Sequence, residues 1–179
     1  SRGLGDVYKR QIEAWTGGRD GKGVIHATRT GYYIYKFIDP NLDLLQNRTS
    51  VHHWVIMRYA EILLSYAEAM NEAYGPTGNV GYRLNAVRAL NQVRNRVGVE
   101  MPAVPTAISK EELREKIRNE RRVELAFEDH RFWDVRRWMI AEQEGVMSGA
   151  MYGIKIYWIN SSPQEFRYTP YLYENRTFT

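Results

Sequence analysis

The chain has 179 residues, of which 44% are hydrophobic and 26% charged, so length and composition are those of a globular chain of about one domain. The absence of cysteine excludes a disulfide framework, thiolate metal sites and a cysteine nucleophile. The formal net charge of +4 is spread along the chain without a Lys/Arg block, which argues against nucleic-acid binding, and no apolar run approaches the ~18 residues of a membrane span.

The start of the chain differs in character from the rest. The stretch DVYKRQ, Asp6–Gln11, resembles one reading frame of a transposon end used in sequencing libraries. We therefore expect residues 1–11 to be non-native or sequencing-derived, and residues 12–179 to be a fragment of a longer protein. The missing initiator Met agrees with a fragment, so the lack of a visible signal peptide is uninformative.

Residues 12–50 have an irregular pattern. The glycines of TGGRDGKG predict a loop, and the aromatic and β-branched residues of YYIYKFI (32–38) predict a short strand. From about residue 55 the apolar spacing becomes helical, and it predicts helices at about 55–74, 82–97, 110–128 and 131–143.

The first two predicted helices, joined by GPTGN (75–79), would form an antiparallel hairpin about the length of a tetratricopeptide repeat. Ser109 and Glu112 predict a capping box at the start of the third. Residues 151–160 alternate weakly, as a strand or extended loop would, and residues 161–179 are expected to be a loop. The pattern predicts a mainly α fold, with tetratricopeptide-like helix pairs, irregular loops and a few short strands.

Charged and apolar residues are interleaved in the third helix. Leu113, Ile117, Val123 and Phe127 define its apolar stripe, and carboxylates fall within or beside that stripe. An unpaired buried carboxylate costs several kcal/mol, whereas the planar fork of arginine pairs a carboxylate bidentately. We therefore predict an ion-pair lattice between helices, shielded from water by aromatic side chains, that fixes helix register. Its predicted members are Glu120, Glu124, Glu128 and Asp134 with Arg58, Arg94, Arg121, Arg122, Arg131, Arg136 and Arg137.

Three strings carry a family resemblance: MRYAEILLSYAEAMNEA, LNAVRALNQVRNRVG and LREKIRNERRVELAFEDHRFWDVRRW. In order, spacing and wording they resemble the C-terminal part of the SusD/RagB family, and TGYYIYKF resembles the segment that precedes these helices in the family. The resemblance covers about residues 29–140, so residues 12–179 are expected to be part of a SusD-like C-terminal domain.

The resemblance implies a non-catalytic outer-membrane lipoprotein that captures oligosaccharides, or in some members peptides, at the cell exterior. It further implies a TonB-dependent, SusC-like transporter as partner, and an N-terminal lipid anchor that lies outside this sequence. No cofactor is expected.

Aromatic residues outside the helical stripes are the best candidates for ligand binding, because a flat ring can stack on the apolar face of a pyranose. They are Trp15, Trp54, Tyr157 and Trp158. Each could instead anchor a loop.

The sequence also raises three other functions: a metal site, a glycosidase and a protein–protein scaffold. A metal site at Glu120, Glu124 and Glu128 with His130 lacks the spacing of a di-metal bundle, and the adjacent His52 and His53 lack a third ligand. A glycosidase would need two acids ~5–9.5 Å apart, but the obvious acids here lie among arginines, which lower a carboxyl pKa. A helical-repeat scaffold for protein–protein interaction is the alternative function.

Overall fold

The computed structural model describes residues 12–39, 42, 47, 49–51, 55–161 and 164–177. The chain divides into two compact units. Residues 54–137 form the helical unit, and the segments 1–53 and 138–179 form the hairpin unit. The predicted non-native segment, residues 1–11, lies outside the described residues.

The helical unit holds all the helices of the described residues. They are α1 (Tyr59–Tyr74), α2 (Ala86–Arg94), α3 (Lys110–Glu124) and α4 (His130–Arg137). No helix in the described part of the chain combines the length and apolar character that crossing a bilayer requires.

α1, α2 and α3 bury a shared apolar core. Its largest side chains include Leu64 of α1, Leu90 of α2 and Leu113 of α3, all fully buried. The Tyr66 hydroxyl donates to the Leu84 carbonyl oxygen at 2.8 Å, which ties α1 to the start of α2. The core therefore follows the apolar stripes predicted from the sequence.

Side-chain hydrogen bonds fix the connections between these helices. The predicted capping box is present, because Ser109 accepts from the Glu112 amide while the Glu112 carboxylate accepts from the Ser109 amide. The Asn91 side chain bonds both backbone groups of Val104, donating to its carbonyl at 2.9 Å and accepting from its amide at 2.8 Å. This pairing holds the linker between α2 and α3, which contains Pro102 and Pro105, against α2.

The helices are shorter than predicted. α1 begins at Tyr59 because Arg58 has extended backbone angles, and α2 ends at Arg94, which leaves Val97 exposed. α3 ends at Glu124, since Phe127 and Asp129 in the following turn have positive φ. Val123 and Phe127, which the sequence placed on the apolar stripe of α3, are more than half exposed.

The hairpin unit contains an antiparallel pair of strands, β1 (Gly149–Ser161) and β2 (Gln164–Arg176). β1 agrees with the expected extended segment at 151–160. Two other expectations were wrong: the region of β2 is a strand where a loop was predicted, and residues 32–38 are irregular where a strand was predicted. YYIYKFI has strand composition, but its residues find no strand partner in the described part of the chain.

Residues 12–39 form a loop that lies along the outer edge of β1. The Thr16 amide donates to the Ile156 carbonyl, and the Ile154 amide donates to the Thr30 carbonyl, both at 2.7 Å. Gly31 allows this close approach, because a Cβ there would lie 2.1 Å from the Ile154 carbonyl oxygen and its φ is +81°. The loop therefore satisfies backbone groups that an uncovered edge strand would expose.

Candidate functional site

An aromatic cluster forms on one face of the hairpin unit. The ring centroids of Trp15 and Trp158 lie 4.7 Å apart in an edge-to-face arrangement. Phe166 contacts both, with centroids 5.6 Å from Trp15 and 5.5 Å from Trp158. Two of the four predicted ligand-binding residues, Trp15 and Trp158, are thus brought together.

The strand register places two of these rings side by side. Trp158 of β1 and Phe166 of β2 are direct cross-strand partners, and Ile156 pairs with Tyr168 on the same face. Side chains of a strand alternate between faces, so an apolar face runs along the hairpin through both pairs.

A tight turn holds Trp15 against this face. Gly18 and Gly21 are buried, and a Cβ on Gly18 would lie 3.0 Å from the Trp15 indole nitrogen. The turn is further closed by Arg19, whose guanidinium binds the Glu13 carboxylate. Trp15 is therefore positioned by backbone that only glycine permits at this spacing.

The cluster is open to solvent. Trp158 retains 40% of its accessible surface and Tyr168 retains 59%. Exposed aromatic rings held by neighbouring rings form a preorganised apolar platform, which is the surface a pyranose ring would stack on.

The other two predicted ligand-binding residues lie elsewhere. Tyr157 points to the opposite face of β1, where the Arg167 guanidinium lies 5.0 Å from its ring centroid. Trp54 lies outside the described residues. Phe166 and Tyr168 were not predicted from the sequence, although the alternation of Phe166, Tyr168 and Leu172 along β2 was the signal available.

The helical unit contains a separate network of ion pairs. Arg58, at the start of α1, donates to the carboxylates of Glu124 at 2.6 Å and Glu128 at 2.8 Å. It also donates to the Glu124 carbonyl oxygen at 2.6 Å, which satisfies a free acceptor at the end of α3. A single guanidinium thus joins the beginning of α1 to the end of α3.

A second group of pairs joins α1, α3 and α4. Asp134 accepts from Arg121 at 3.0 and 3.2 Å and from Arg137 at 2.9 Å. Arg121 also donates to the Ser65 hydroxyl at 3.1 Å, and Arg137 donates to both Glu68 oxygens at 2.6 Å. Arg121 and Asp134 are each about 5% exposed in their side chains.

The remaining acid of the predicted lattice, Glu120, is paired with Arg94. Arg94 also donates to the Pro102 carbonyl oxygen at 2.9 Å, so this pair links α2, α3 and the linker between them. Two further members of the network, Arg96 and Glu68, were not predicted. Arg96 donates to Glu124 at 2.7 Å. Its position two residues after Arg94 did not mark it in the sequence as a partner of Glu124.

Three arginines of the predicted lattice make no ion pair with the described residues. Arg122 donates to the Asn119 side chain, and Arg136 lies over the Phe132 ring and donates to the Phe132 carbonyl oxygen. Burial lowers the pKa of Arg131, and the neighbouring charge of Arg122 lowers it further.

The expected aromatic shield is also corrected. Phe127, Phe132 and Trp133 are 61%, 48% and 66% exposed. The four acids of the predicted lattice are nonetheless only 4–10% exposed in their side chains.

Opposing effects act on the pKa of Glu124. Burial alone would raise it, but hydrogen bonds from Arg58 and Arg96 outweigh burial, so the pKa lies below its usual range. The hydrogen bond to Glu128 raises the pKa of Arg58. Glu124 is therefore held as a carboxylate, which makes it a poor proton donor for glycoside hydrolysis.

The metal alternatives gain no support. No group of three or more His, Asp or Glu side chains suited to a metal ion occurs among the described residues. His130 lies 3.5 Å from the Glu61 carboxylate, outside the network of arginine-paired acids. His52 and His53 fall outside the residues that the structure describes.

Comparison with known proteins identifies the family. The sequence profile of the SusD family matches residues 2–178. SusD-like protein P2 of Formosa agariphila is 35% identical over 111 residues, which are 59% of this chain and 20% of that protein. SusD-like protein P38 of the same organism is 35% identical over 89 residues, 46% of this chain and 16% of that protein.

The chain therefore spans a fifth or less of the length of these curated relatives. No solved structure matches it. Because the family profile covers nearly the whole sequence, the resemblance inferred from the three helical strings is confirmed, and the chain belongs to the SusD family.

Proposed function

We propose that the full-length protein is the non-catalytic, oligosaccharide-binding component of an outer-membrane nutrient-uptake complex. In this role it sits on the cell exterior, held by an N-terminal lipid anchor, and passes its ligand to a TonB-dependent, SusC-like transporter. Membership of the SusD family supports the role. The observation that carries it in this chain is the solvent-open cluster of Trp15, Trp158 and Phe166.

The cluster suits a sugar better than a buried apolar ligand. A pyranose has an apolar face and a rim of hydroxyls, and it needs a flat platform that stays open to water. Edge-to-face packing fixes Trp158 without covering it, so little side-chain freedom is lost on binding. We propose Trp15 and Trp158 as ligand-binding residues, with Phe166 as their support.

The α1–α2 pair is proposed to be tetratricopeptide-like. Ala67 of α1 and Ala86 and Ala89 of α2 are all fully buried in the core that the two helices share. Small residues at a helix contact allow the short interhelical distance that such repeats require. The family match does not favour the alternative of a protein–protein scaffold.

The experiment is isothermal titration of the full-length protein against a panel of neutral and acidic oligosaccharides and of peptides. We expect binding to at least one glycan without release of reducing sugar. Lack of binding to every glycan and peptide would remove the capture role. Affinity purification from solubilised outer membranes tests the partner, since recovery of soluble proteins without a transporter would favour the scaffold.

A further inference from the structure

A second surface of the hairpin unit forms an open groove, apart from the aromatic cluster. It lies between the loop residues 22–29 and residues 171–173 of β2, and its volume is about 600 Å³. This is within the range of small-molecule sites, roughly 300–1,000 Å³. Nothing in the proposed stacking role of Trp15 and Trp158 uses this groove.

Tyr171 is fixed on one wall of the groove. Its ring packs over Gly153 of β1, where a Cβ would lie 2.7 Å from the ring. Its hydroxyl donates to the Arg29 carbonyl oxygen, so the ring is held at both ends. The Lys22 ammonium lies 3.6 Å from the ring centroid, and that of Lys155 lies 5.4 Å away.

The groove is cationic. Lys22, His26 and Arg29 line it, and none of its lining residues is acidic. Within the described part of the chain, no carboxylate lies within ion-pair distance of Lys22, Arg29 or Lys155. The helical unit is different, because its interhelical arginines are matched with acids.

We propose that this groove binds the anionic substituent of an acidic glycan, carried either as a uronate carboxylate or as a sulfate ester. The inference rests on the proposed capture of oligosaccharides and names the ligand class. Lys22 and Arg29 supply charge-assisted hydrogen bonds to the anion, and the Tyr171 ring holds the Lys22 ammonium in place through a cation–π contact. An acidic ligand fits because these cations have no counter-charge among the described residues, so the groove carries a positive potential.

The test compares acidic oligosaccharides with their uncharged forms on the full-length protein. The probes are oligogalacturonate with its methyl ester, and a carrageenan oligosaccharide with its desulfated form. We expect at least one acidic form to bind about tenfold tighter than its neutral form, with the advantage shrinking as salt rises. Equal binding of acidic and neutral forms would overturn the inference.

Two double variants distinguish an effect of the groove on binding from an effect of the protein's net charge. Lys22→Gln with Arg29→Gln should abolish the preference for the acidic form. Arg83→Gln with Arg88→Gln removes the same charge from exposed positions of the helical unit and should preserve it. An equal loss in both variants, or equally tight binding of duplex DNA or anionic phospholipid vesicles, would show a non-specific polyanion surface and contradict the proposal.

The outcomes also separate this inference from the proposed function. Binding of neutral glycans without preference for acidic ones would remove only the groove assignment. Lack of binding to every glycan would remove the groove assignment, and lack of binding to every peptide as well would also remove the capture role.

Discussion

The buried pair of Arg121 and Asp134 gives the sharpest stability prediction. Asp134 is 3% exposed and accepts three hydrogen bonds, two from Arg121 and one from Arg137. In the variant Asp134→Asn, Arg137 keeps both bonds to Glu68, but the buried guanidinium of Arg121 loses its charged partner and can keep only the Ser65 hydroxyl and one bond to the new amide oxygen. The loss of stability should therefore come mainly from the lost interactions of Arg121.

The magnitude follows from that geometry. Two hydrogen bonds to a charged partner are worth about 1.5–3 kcal/mol each, and breaking a buried ion pair costs about 3–5 kcal/mol. We therefore expect Asp134→Asn to lower the free energy of unfolding by about 3–5 kcal/mol at neutral pH. Urea unfolding of the full-length protein measures this, provided that the denaturant slope is unchanged.

A matched control removes a carboxylate of the same unit from an exposed pair. Glu115 lies 3.1 Å from Arg118, and its side chain is 70% exposed. Glu115→Gln should cost less than about 0.5 kcal/mol. A cost below about 1 kcal/mol for Asp134→Asn, or similar costs for the two variants, would show that burial does not make this pair important for stability.

Two further predictions concern pH and backbone packing. Because the pKa of Glu124 is lowered in the folded state, its stabilising charge is fully effective above the unfolded pKa of about 4.3 and is lost as pH falls through the folded pKa. Glu124→Gln should therefore lower the free energy of unfolding by about 3 kcal/mol at pH 7. It should also make that free energy fall less steeply below about pH 4.5, which urea unfolding at a series of pH values measures. An unchanged pH dependence below about pH 4.5 would contradict this. Gly31→Ala should destabilise the hairpin unit more than Gly23→Ala, because both have positive φ but only Gly31 would bring a Cβ to within 2.1 Å of a carbonyl oxygen. Hydrogen exchange of the β1 amides measures the difference, and equal protection in the two variants would exclude the packing argument.

The helical core could be predicted from sequence because burying one face of a helix requires apolar residues at helical spacing along the chain. Leu64, Leu90 and Leu113 all lie on predicted stripes and are fully buried. The helix ends could not be predicted as well, because they depend on single backbone angles. The positive φ of Phe127 and Asp129 ends α3 about a turn early, and neither residue type favours that conformation as glycine does.

The ion-pair network could be predicted as a kind of interaction but not pair by pair. A carboxylate on a buried stripe requires a cation, and this holds for Glu120 and Glu124. Which arginine meets it depends on tertiary geometry. Arg96 pairs with Glu124, whereas Arg122 lies on the exposed side of α3.

The second strand was missed because its local signals conflict. Pro170 and the polar residues of β2 are untypical of a strand. In the structure Pro170 pairs with Ile154, whose amide bonds the Thr30 carbonyl on the other edge of β1. This pair exchanges no backbone hydrogen bonds, so the missing amide of Pro170 lies at the outer edge of the hairpin and costs nothing there.

The exposed tryptophan cluster is proposed to capture an oligosaccharide. Isothermal titration of the full-length protein with its best glycan from the panel should show at least about tenfold weaker binding for Trp158→Ala, since a large apolar contact is worth about 1.5–3 kcal/mol. Tyr152→Ala removes an aromatic ring of the same strand that is 62% exposed, and should leave the affinity within about twofold. Unchanged affinity in Trp158→Ala, with the variant folded, would exclude the tryptophan cluster as the oligosaccharide-binding surface.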